Sequence, residues 1–346
     1  MSVRAVSHFE LHVEHRAQAA DYLISAFGFA PVAERAEPGG DSLLLRHGPV
    51  RIVVSQGAGV ERYLEEHGEG IADVAVVCDD VAAVHARAVA AGAEPLGPAA
   101  FRGPGGGVRH SLIEAGSDPF ADPTGPWRPL REDEEDEEGD EDGDAAPSAG
   151  PSWRLDHVAL CIESGTLRTM ADFYDTVFDL ERYSGEYVEV GGQAMDSIVV
   201  RHASADVTFT LVEPDASKKP GQLDDFLERN SGPGVQHLAF EVQDILASVR
   251  ACRERGVEFM HTPDSYYDLL TARMAGTDLP LAELRETGVL ADRDEWGFLL
   301  QSFTRSPYDR KTLFYELIQR QGARGFGSAN IRALYEAVER ERVAAG

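Results

Sequence analysis

The sequence contains few cysteines and no long apolar run. Its 346 residues include three widely separated cysteines, Cys78, Cys161 and Cys252. An odd number of cysteines without a CxxC pair argues against a disulfide framework and fits a reducing cytoplasm. No segment reaches the roughly 18 to 20 apolar residues of a membrane-spanning helix. The charged, alternating N-terminus is unlike a signal peptide. We therefore expect a cytoplasmic protein with no membrane partner.

Basic residues are also scarce. Lys and Arg number 32 against 60 Asp and Glu, which gives a formal net charge of −28. A surface of this sign repels phosphates, so nucleic acid is excluded as a partner. Eleven acidic residues lie between Glu132 and Asp144, a run typical of a solvated, self-repelling linker. A docking tail for a basic partner is the alternative, but nothing else in the sequence supports it. We predict a first domain over 1–130, a flexible acidic linker over 131–152 and a second domain over 153–346.

The two predicted domains resemble each other in sequence pattern. The first opens with VSHFELHVEHRAQAADYLISAFGFAPV and the second with LDHVALCIESGTLRTMADFYDTVFDLERY. Each is an alternating strand, a helix with apolar spacing near 3.6 and a turn into another strand. HGEGIADVAVVCDDVAAVHARAVAAGAEPLG and SGPGVQHLAFEVQDILASVRACRERGVEFM repeat the pattern later in each half. This internal duplication predicts an α+β fold of two β-rich barrels with their helices outside.

Three residues of the second half have the chemistry of metal ligands. His157 and His237 lie in two predicted strands, and Glu316 interrupts the otherwise apolar run TLFYELIQ. A buried, ionised carboxylate needs a partner, and a metal ion is a good one. Two imidazoles and one carboxylate suit an iron(II) oxygenase, but zinc or nickel would accept the same donors. In the first half, His8 matches His157, but Asp73 stands where His237 would, so a second metal site is not expected there.

The second half resembles a known family, the 4-hydroxyphenylpyruvate dioxygenases and 4-hydroxymandelate synthases. Residues 298–342, FLLQSFTRSPYDRKTLFYELIQRQGARGFGSANIRALYEAVERER, are similar to a run that includes the family's metal-binding Glu. LDHVAL and GPGVQHLAF match its two histidine segments. The resemblance covers residues 153–343 closely and the first half in outline. It implies two vicinal-oxygen-chelate barrels built from βαβββ modules, with Fe(2+) bound only in the C-terminal one.

The resemblance also implies a substrate and further site residues. The substrate would be an aromatic α-keto acid that reacts with O2 and loses CO2. Phe303 and Phe326 would enclose its ring, although without the resemblance both would be read as core aromatics. The polar groups around substrate and metal would come from Ser197, Gln222, Gln236 and Gln301. A terminal helix beginning at Ser328, with Ile331, Leu334, Tyr335 and Val338 on one face, would cap the cavity.

One segment bears on which of the family's two reactions takes place. Homogentisate-forming members typically have a PxNEP pattern, whereas this sequence has FTLVEP, with Thr210 in place of Pro and Val212 in place of Asn. Val212 removes a hydrogen-bonding amide from the ring's surroundings, which resembles the 4-hydroxymandelate branch. Phe303 instead resembles the homogentisate branch. An aliphatic keto acid, or a non-oxidative metal-dependent or binding member of the fold, is a further alternative.

Two further expectations concern the setting of the enzyme. Benzylic hydroxylation would suit the making of arylglycine building blocks in antibiotic biosynthesis. No interface pattern is legible in the sequence, which leaves a homo-oligomer open.

Overall fold

The computed structural model describes residues 3–121, 125–130, 153–204, 206–327 and 329–332. The predicted acidic linker lies outside these ranges. So do Ser328, Leu334, Tyr335 and Val338 of the predicted terminal helix, whose first turn at 329–332 is described. No helix in the described ranges is both long and apolar enough to cross a membrane.

Within its described residues, the first half of the chain forms one nine-stranded mixed sheet with three α-helices. Its strands β1 to β9 are Val3–His12, Ala30–Glu37, Gly40–His47, Val50–Gln56, Gly70–Cys78, Glu94–Gly97, Ala100–Arg102, Arg109–Glu114 and Arg128–Pro129. The helices α1 to α3 are Arg16–Phe27, Glu61–His67 and Val81–Ala90. Gly28 ends α1 at φ +73°, a left-handed conformation that glycine adopts at little cost.

The second half forms an eight-stranded mixed sheet with five helices in its described part. Strands β10 to β17 are Arg154–Cys161, Glu181–Val190, Gln193–Arg201, Thr208–Pro214, Gly234–Glu241, Leu290–Arg293, Phe298–Phe303 and Phe314–Gln321. Helices α4 to α8 are Leu167–Phe178, Gln222–Asn230, Ile245–Glu254, Asp264–Arg273 and Leu281–Thr287.

The two sheets have the same topology. The first runs β6-β7-β8-β5-β1-β4-β3-β2-β9 and the second β15-β16-β17-β14-β10-β13-β12-β11. In each, the opening strand is antiparallel to one neighbour and parallel to the other, as β1 is to β5 and β4, and β10 to β14 and β13. Each sheet is thus two βαβββ modules, which confirms the predicted duplication. The second half adds α7 and α8 between α6 and β15, where the first half has only a short turn.

The largest apolar core cluster runs through both halves. Phe27, at the end of α1, packs edge-on against Tyr315 of β17 with ring centroids 5.1 Å apart, and against Trp153 at 5.5 Å. The guanidinium of Arg310, in the second half, donates to the carbonyls of Glu65 and Glu66 at the end of α2 at 2.9 and 2.8 Å. Because these contacts cross between the halves, the two sheets are held together by packing and by hydrogen bonds.

We expect the Phe27→Ala variant to lose about 3–5 kcal/mol of unfolding free energy, since it leaves a cavity between the two sheets. Urea unfolding followed by tryptophan fluorescence and circular dichroism measures the loss, and both signals should change in one transition. Val89→Ala, at a side chain 40% exposed on α3, is the control and should change the free energy by less than about 0.5 kcal/mol. Two separate transitions in the parent protein would contradict a shared core.

Candidate metal centre

Three neighbouring strands bring His157, His237 and Glu316 together. His157 of β10 and Glu316 of β17 both pair with Ala239 on the middle strand, β14. His237 precedes Ala239 by two residues on β14, so its side chain points to the same face of the sheet. The sequence separates His157 from His237 by 80 positions and His237 from Glu316 by 79. The register of the three strands makes them neighbours.

The distances between the three side chains fit ligands of one divalent ion. The Nε2 atoms of the two histidines are 3.2 Å apart, and Oε2 of Glu316 lies 3.5 Å from that of His157 and 3.3 Å from that of His237. Two ligands that share an ion at about 2.1 Å would be about 3.0–3.4 Å apart. Within the described ranges this is the cluster of His, Cys, Asp and Glu side chains close enough to hold a metal ion.

The surroundings of the two histidines also suit metal binding. Nδ1 of His157 donates to Oδ1 of Asp156 at 2.8 Å, which orients the ring with Nε2 toward the cluster. Burial lowers the pKa of His237, and the neighbouring Glu316 offsets this only in part. Two imidazoles and one carboxylate thus converge on one point.

Asp156 is itself held by a buried arginine. Arg320 donates to both carboxylate oxygens of Asp156, at 2.6 and 2.9 Å. Burial raises the pKa of Asp156, but the hydrogen bonds and charge of Arg320, with the His157 hydrogen bond, outweigh it and hold the pKa well below its usual range. The arginine also donates to the carbonyl of Gly325 at 2.7 Å and lies 4.9 Å from the centre of the Phe326 ring. It therefore supports a candidate ligand and a wall of the site together.

Three aromatic side chains surround the cluster. The Phe326 ring lies edge-on to His157, with centroids 5.3 Å apart. Phe314 stacks on His237 at 4.8 Å, and Phe303 lies 6.3 Å from Phe314. Because the cluster faces buried rings, a charge placed there meets little water, which strengthens its interactions with the ligands.

All eleven residues predicted for the site line one cavity. The structure brings them together, and their individual roles remain predictions. Ile331, expected on the capping face of the terminal helix, also lines the cavity. Four lining residues were not predicted from the sequence: Met195, Leu223, Met260 and Phe314. Met195 and Phe314 each precede a predicted residue, Ser197 and Glu316, by two positions on one strand, so alternation could have identified them.

Two neighbouring positions on β13 differ in polarity within this cavity. The Thr210 hydroxyl is buried, and within the described ranges it has no hydrogen-bond partner. Val212 follows two residues later on the same face and presents only methyl groups to the cavity. An unpaired buried hydroxyl costs free energy unless a ligand or water satisfies it, so Thr210 is suited to bind a polar group inside the cavity.

The corresponding positions of the first sheet are arranged differently. Asp73, at the position of His237, accepts hydrogen bonds from the backbone and side chain of Ser111 and an ion pair from Arg109 at 3.1 Å. Asp73 pairs with Arg109 across the strands, as His237 pairs with Phe314. Ser111, two residues after Arg109, therefore has the position that Glu316 has in the second sheet. The carboxylate of Asp73 is thus already paired within the protein.

Both halves and the whole chain match known proteins. Residues 154–301 and 7–109 match two family models, each described as the Glyoxalase/Bleomycin resistance protein/Dioxygenase superfamily. The chain is 30% identical over its full length to 4-hydroxyphenylpyruvate dioxygenase of Yarrowia lipolytica, covering 94% of that protein. It is 31% identical over 98% of its length to that of Neurospora crassa, covering 92%. The solved structure of a triple mutant of 4-hydroxymandelate synthase from Streptomyces coelicolor has a TM-score of 0.87 at 48% identity, covering 99% of this chain and 100% of that one.

The alignments with these relatives span nearly the whole of this chain and most of the length of each relative. The chain belongs to the 4-hydroxyphenylpyruvate dioxygenase family. The resemblance drawn from the histidine segments and the Glu316 strand is confirmed, and so are the two barrels of the vicinal-oxygen-chelate fold. The protein is therefore an enzyme of the dioxygenase class, with a His-His-Glu cluster in the second barrel.

We expect Arg320→Gln to lower the free energy of unfolding by about 3–5 kcal/mol, because it leaves the buried Asp156 carboxylate without its cation. Urea denaturation of the metal-free protein measures the loss without any contribution from a bound ion. Arg324→Gln, at an exposed arginine in the loop that follows β17, is the matched control and should cost less than about 0.5 kcal/mol. Equal losses in the two variants would show that the Asp156 pair is not specially stabilising.

Proposed function

We propose that this enzyme uses iron(II) to convert 4-hydroxyphenylpyruvate and O2 into 4-hydroxymandelate and CO2. The observation that carries the proposal is the joint placement of Thr210 and Val212 in the cavity that holds the His-His-Glu cluster. The relatives support it, since the chain is 48% identical to the 4-hydroxymandelate synthase and about 30% identical to the 4-hydroxyphenylpyruvate dioxygenases.

The three ligands fit iron(II) in number and type. His157, His237 and Glu316 would hold it by two nitrogens and one oxygen, which leaves positions open for a chelating substrate and O2. When bound, iron supplies the activation of O2 for attack on the keto acid. The protein's own tasks are then to orient the substrate and to exclude water from the reacting atoms.

The aromatic walls are suited to those tasks. Phe303 and Phe326 lie on either side of the histidine pair and would enclose the substrate ring. Phe314 covers His237 and closes the cavity on that side. Ser197, Gln222 and Gln236 also line the cavity and would provide polar contacts to the substrate. The resulting pocket is largely apolar with a few polar groups, as small-molecule sites generally are.

Product choice would depend on where the ring and side chain of the substrate are held. Both reactions consume one O2 and release one CO2, and they differ in whether the benzylic carbon or the ring receives the second oxygen. Val212 offers no amide to the ring, while the Thr210 hydroxyl offers a hydrogen bond from the same strand. We infer that this pair holds the benzylic carbon, and not the ring, in the reactive position.

Formation of homogentisate is the second candidate, and Phe303 favours it. The Phe303 ring lies in the cavity, and Phe303 of β16 pairs with Glu316 of β17. A smaller residue at this position would leave more room for the side chain of the substrate.

The proposal is tested by giving the enzyme iron(II), 4-hydroxyphenylpyruvate and air and separating the products by chromatography. We expect oxygen uptake, release of CO2 in equal amount and 4-hydroxymandelate as the main product. A Glu316→Gln variant is the control, and it should lose both oxygen uptake and product because the charged ligand is gone. Homogentisate as the main product would favour the second candidate, and absence of oxygen uptake would contradict both.

We expect Val212→Asn to shift product toward homogentisate, and the double variant with Thr210→Pro to shift it further. The new amide would hydrogen-bond near the ring, where a single hydrogen bond of about 1 kcal/mol changes a product ratio severalfold. Val212→Leu, which adds bulk without polarity, is the matched control and should keep the parental product. If the asparagine and leucine variants gave the same ratio, the determinant would lie elsewhere in the cavity.

A further inference from the structure

A chain of buried amides connects Glu316 to the first turn of the terminal helix. Gln301 Nε2 donates to Glu316 Oε1 at 2.8 Å, and Asn330 Nδ2 donates to Gln301 Oε1 at 2.8 Å. The hydroxyl of Tyr266, on α7, lies 2.9 Å from Asn330 Oδ1. Gln301 is 2% exposed and Asn330 0%, so neither amide can exchange these partners for bulk water.

The carboxylate determines the direction of every bond in this chain. Since the ionised Glu316 only accepts, Gln301 must turn its amino group toward it and its carbonyl oxygen away. That oxygen requires a donor, so Asn330 must present its own amino group to Gln301. Asn330 then has its carbonyl oxygen facing the Tyr266 hydroxyl. Reversing either amide would place two acceptors against each other in a site without solvent.

The first turn of the terminal helix is fixed closely against Gln301. The backbone amide of Ala329 donates to Asp292 at 3.0 Å, and that of Ile331 to the Gly327 carbonyl at 2.8 Å. A side chain at Gly327 has no room, since a Cβ there would lie 2.4 Å from Gln301 Oε1. Gly327 also has φ +77°, which favours glycine. The helix turn and the glutamine amide are therefore packed as one unit.

We infer that Asn330 is a positioning residue for the metal centre, an inference that rests on the metal site proposed above. By fixing the Gln301 amide, Asn330 keeps a donor on Glu316 Oε1 and leaves Oε2 as the oxygen that faces both histidines. Glu316 would then offer a bound metal one oxygen, which would leave other positions for substrate and O2. The packing of the helical turn at 329–332 is thereby coupled to the orientation of the Glu316 carboxylate.

The test is Co(II) binding to the metal-free protein, measured by titration calorimetry and by the visible absorption of the bound ion. Asn330→Asp keeps the shape of the side chain but replaces the donor with an acceptor, which forces the Gln301 oxygen toward Glu316. We expect affinity for Co(II) to fall at least about tenfold, as is typical when a group supporting a ligand is lost. The absorption spectrum should change as well, because Glu316 is no longer held in one orientation.

Asn330→Leu is the matched variant. It removes the donor without adding an acceptor, so Gln301 can still point its amino group at Glu316, and the loss of affinity should be smaller than for aspartate. A role in packing alone predicts the opposite order, since leucine differs more from asparagine in polarity and shape. In a Gln301→Leu background, Asn330→Asp should cause little further loss, because the amide through which it acts is absent.

Each outcome decides the question. Parental Co(II) affinity and spectrum in both Asn330 variants, or a leucine variant as impaired as the aspartate variant, would overturn the inference while leaving the metal site in place. Failure of the parent protein to bind Co(II) would overturn the metal site itself. The expected order of affinities, with parent above leucine and leucine above aspartate, supports the coupling.

Discussion

The buried charge of Glu316 is the constraint on which the rest of the site depends. Its side chain is 1% exposed within an apolar strand, where an uncompensated carboxylate would cost many kcal/mol. One oxygen is satisfied by Gln301, and the other faces the Nε2 atoms of two imidazoles. A cation placed between these atoms would be stabilised by the carboxylate charge and by both rings. The strand register thus builds a cluster suited to a metal ion.

The two copies of the fold compensate their buried carboxylates in different ways. Both sheets place three side chains at equivalent positions on neighbouring strands, but in the first sheet Arg109 and Ser111 satisfy Asp73. Those partners lie within the chain, and the first sheet contributes to the shared apolar core. In the second sheet Arg320 pairs with Asp156 behind the cluster, and Glu316 faces the two histidines. The same backbone therefore supports a polar cluster paired within the chain in one copy and a candidate metal site in the other.

Much of this was predictable from the sequence because strand alternation and residue chemistry are local. His157, His237 and Glu316 stand out as polar residues in apolar strands, and the repeat predicts which strands correspond. The α7 and α8 insertion and the Tyr266–Asn330 contact were not predictable, because they join segments 64 residues apart without a repeating pattern. The remaining unpredicted cavity residues, Leu223 and Met260, come from two separate segments. Their convergence depends on tertiary packing that periodicity does not encode.

The metal ligands alone do not determine the product, and the energies involved explain why. A tenfold change in the ratio of two products requires a difference of only about 1.4 kcal/mol between two barriers. One hydrogen bond is worth about 0.5–1.5 kcal/mol, and one unsatisfied buried polar group costs about 1–3 kcal/mol. The interaction energy of one amide or methyl group at position 212, or of the Thr210 hydroxyl, is therefore large enough to change the product ratio. The proposed ligands would be common to both reactions, so the choice between products would fall to side chains that do not contact the metal.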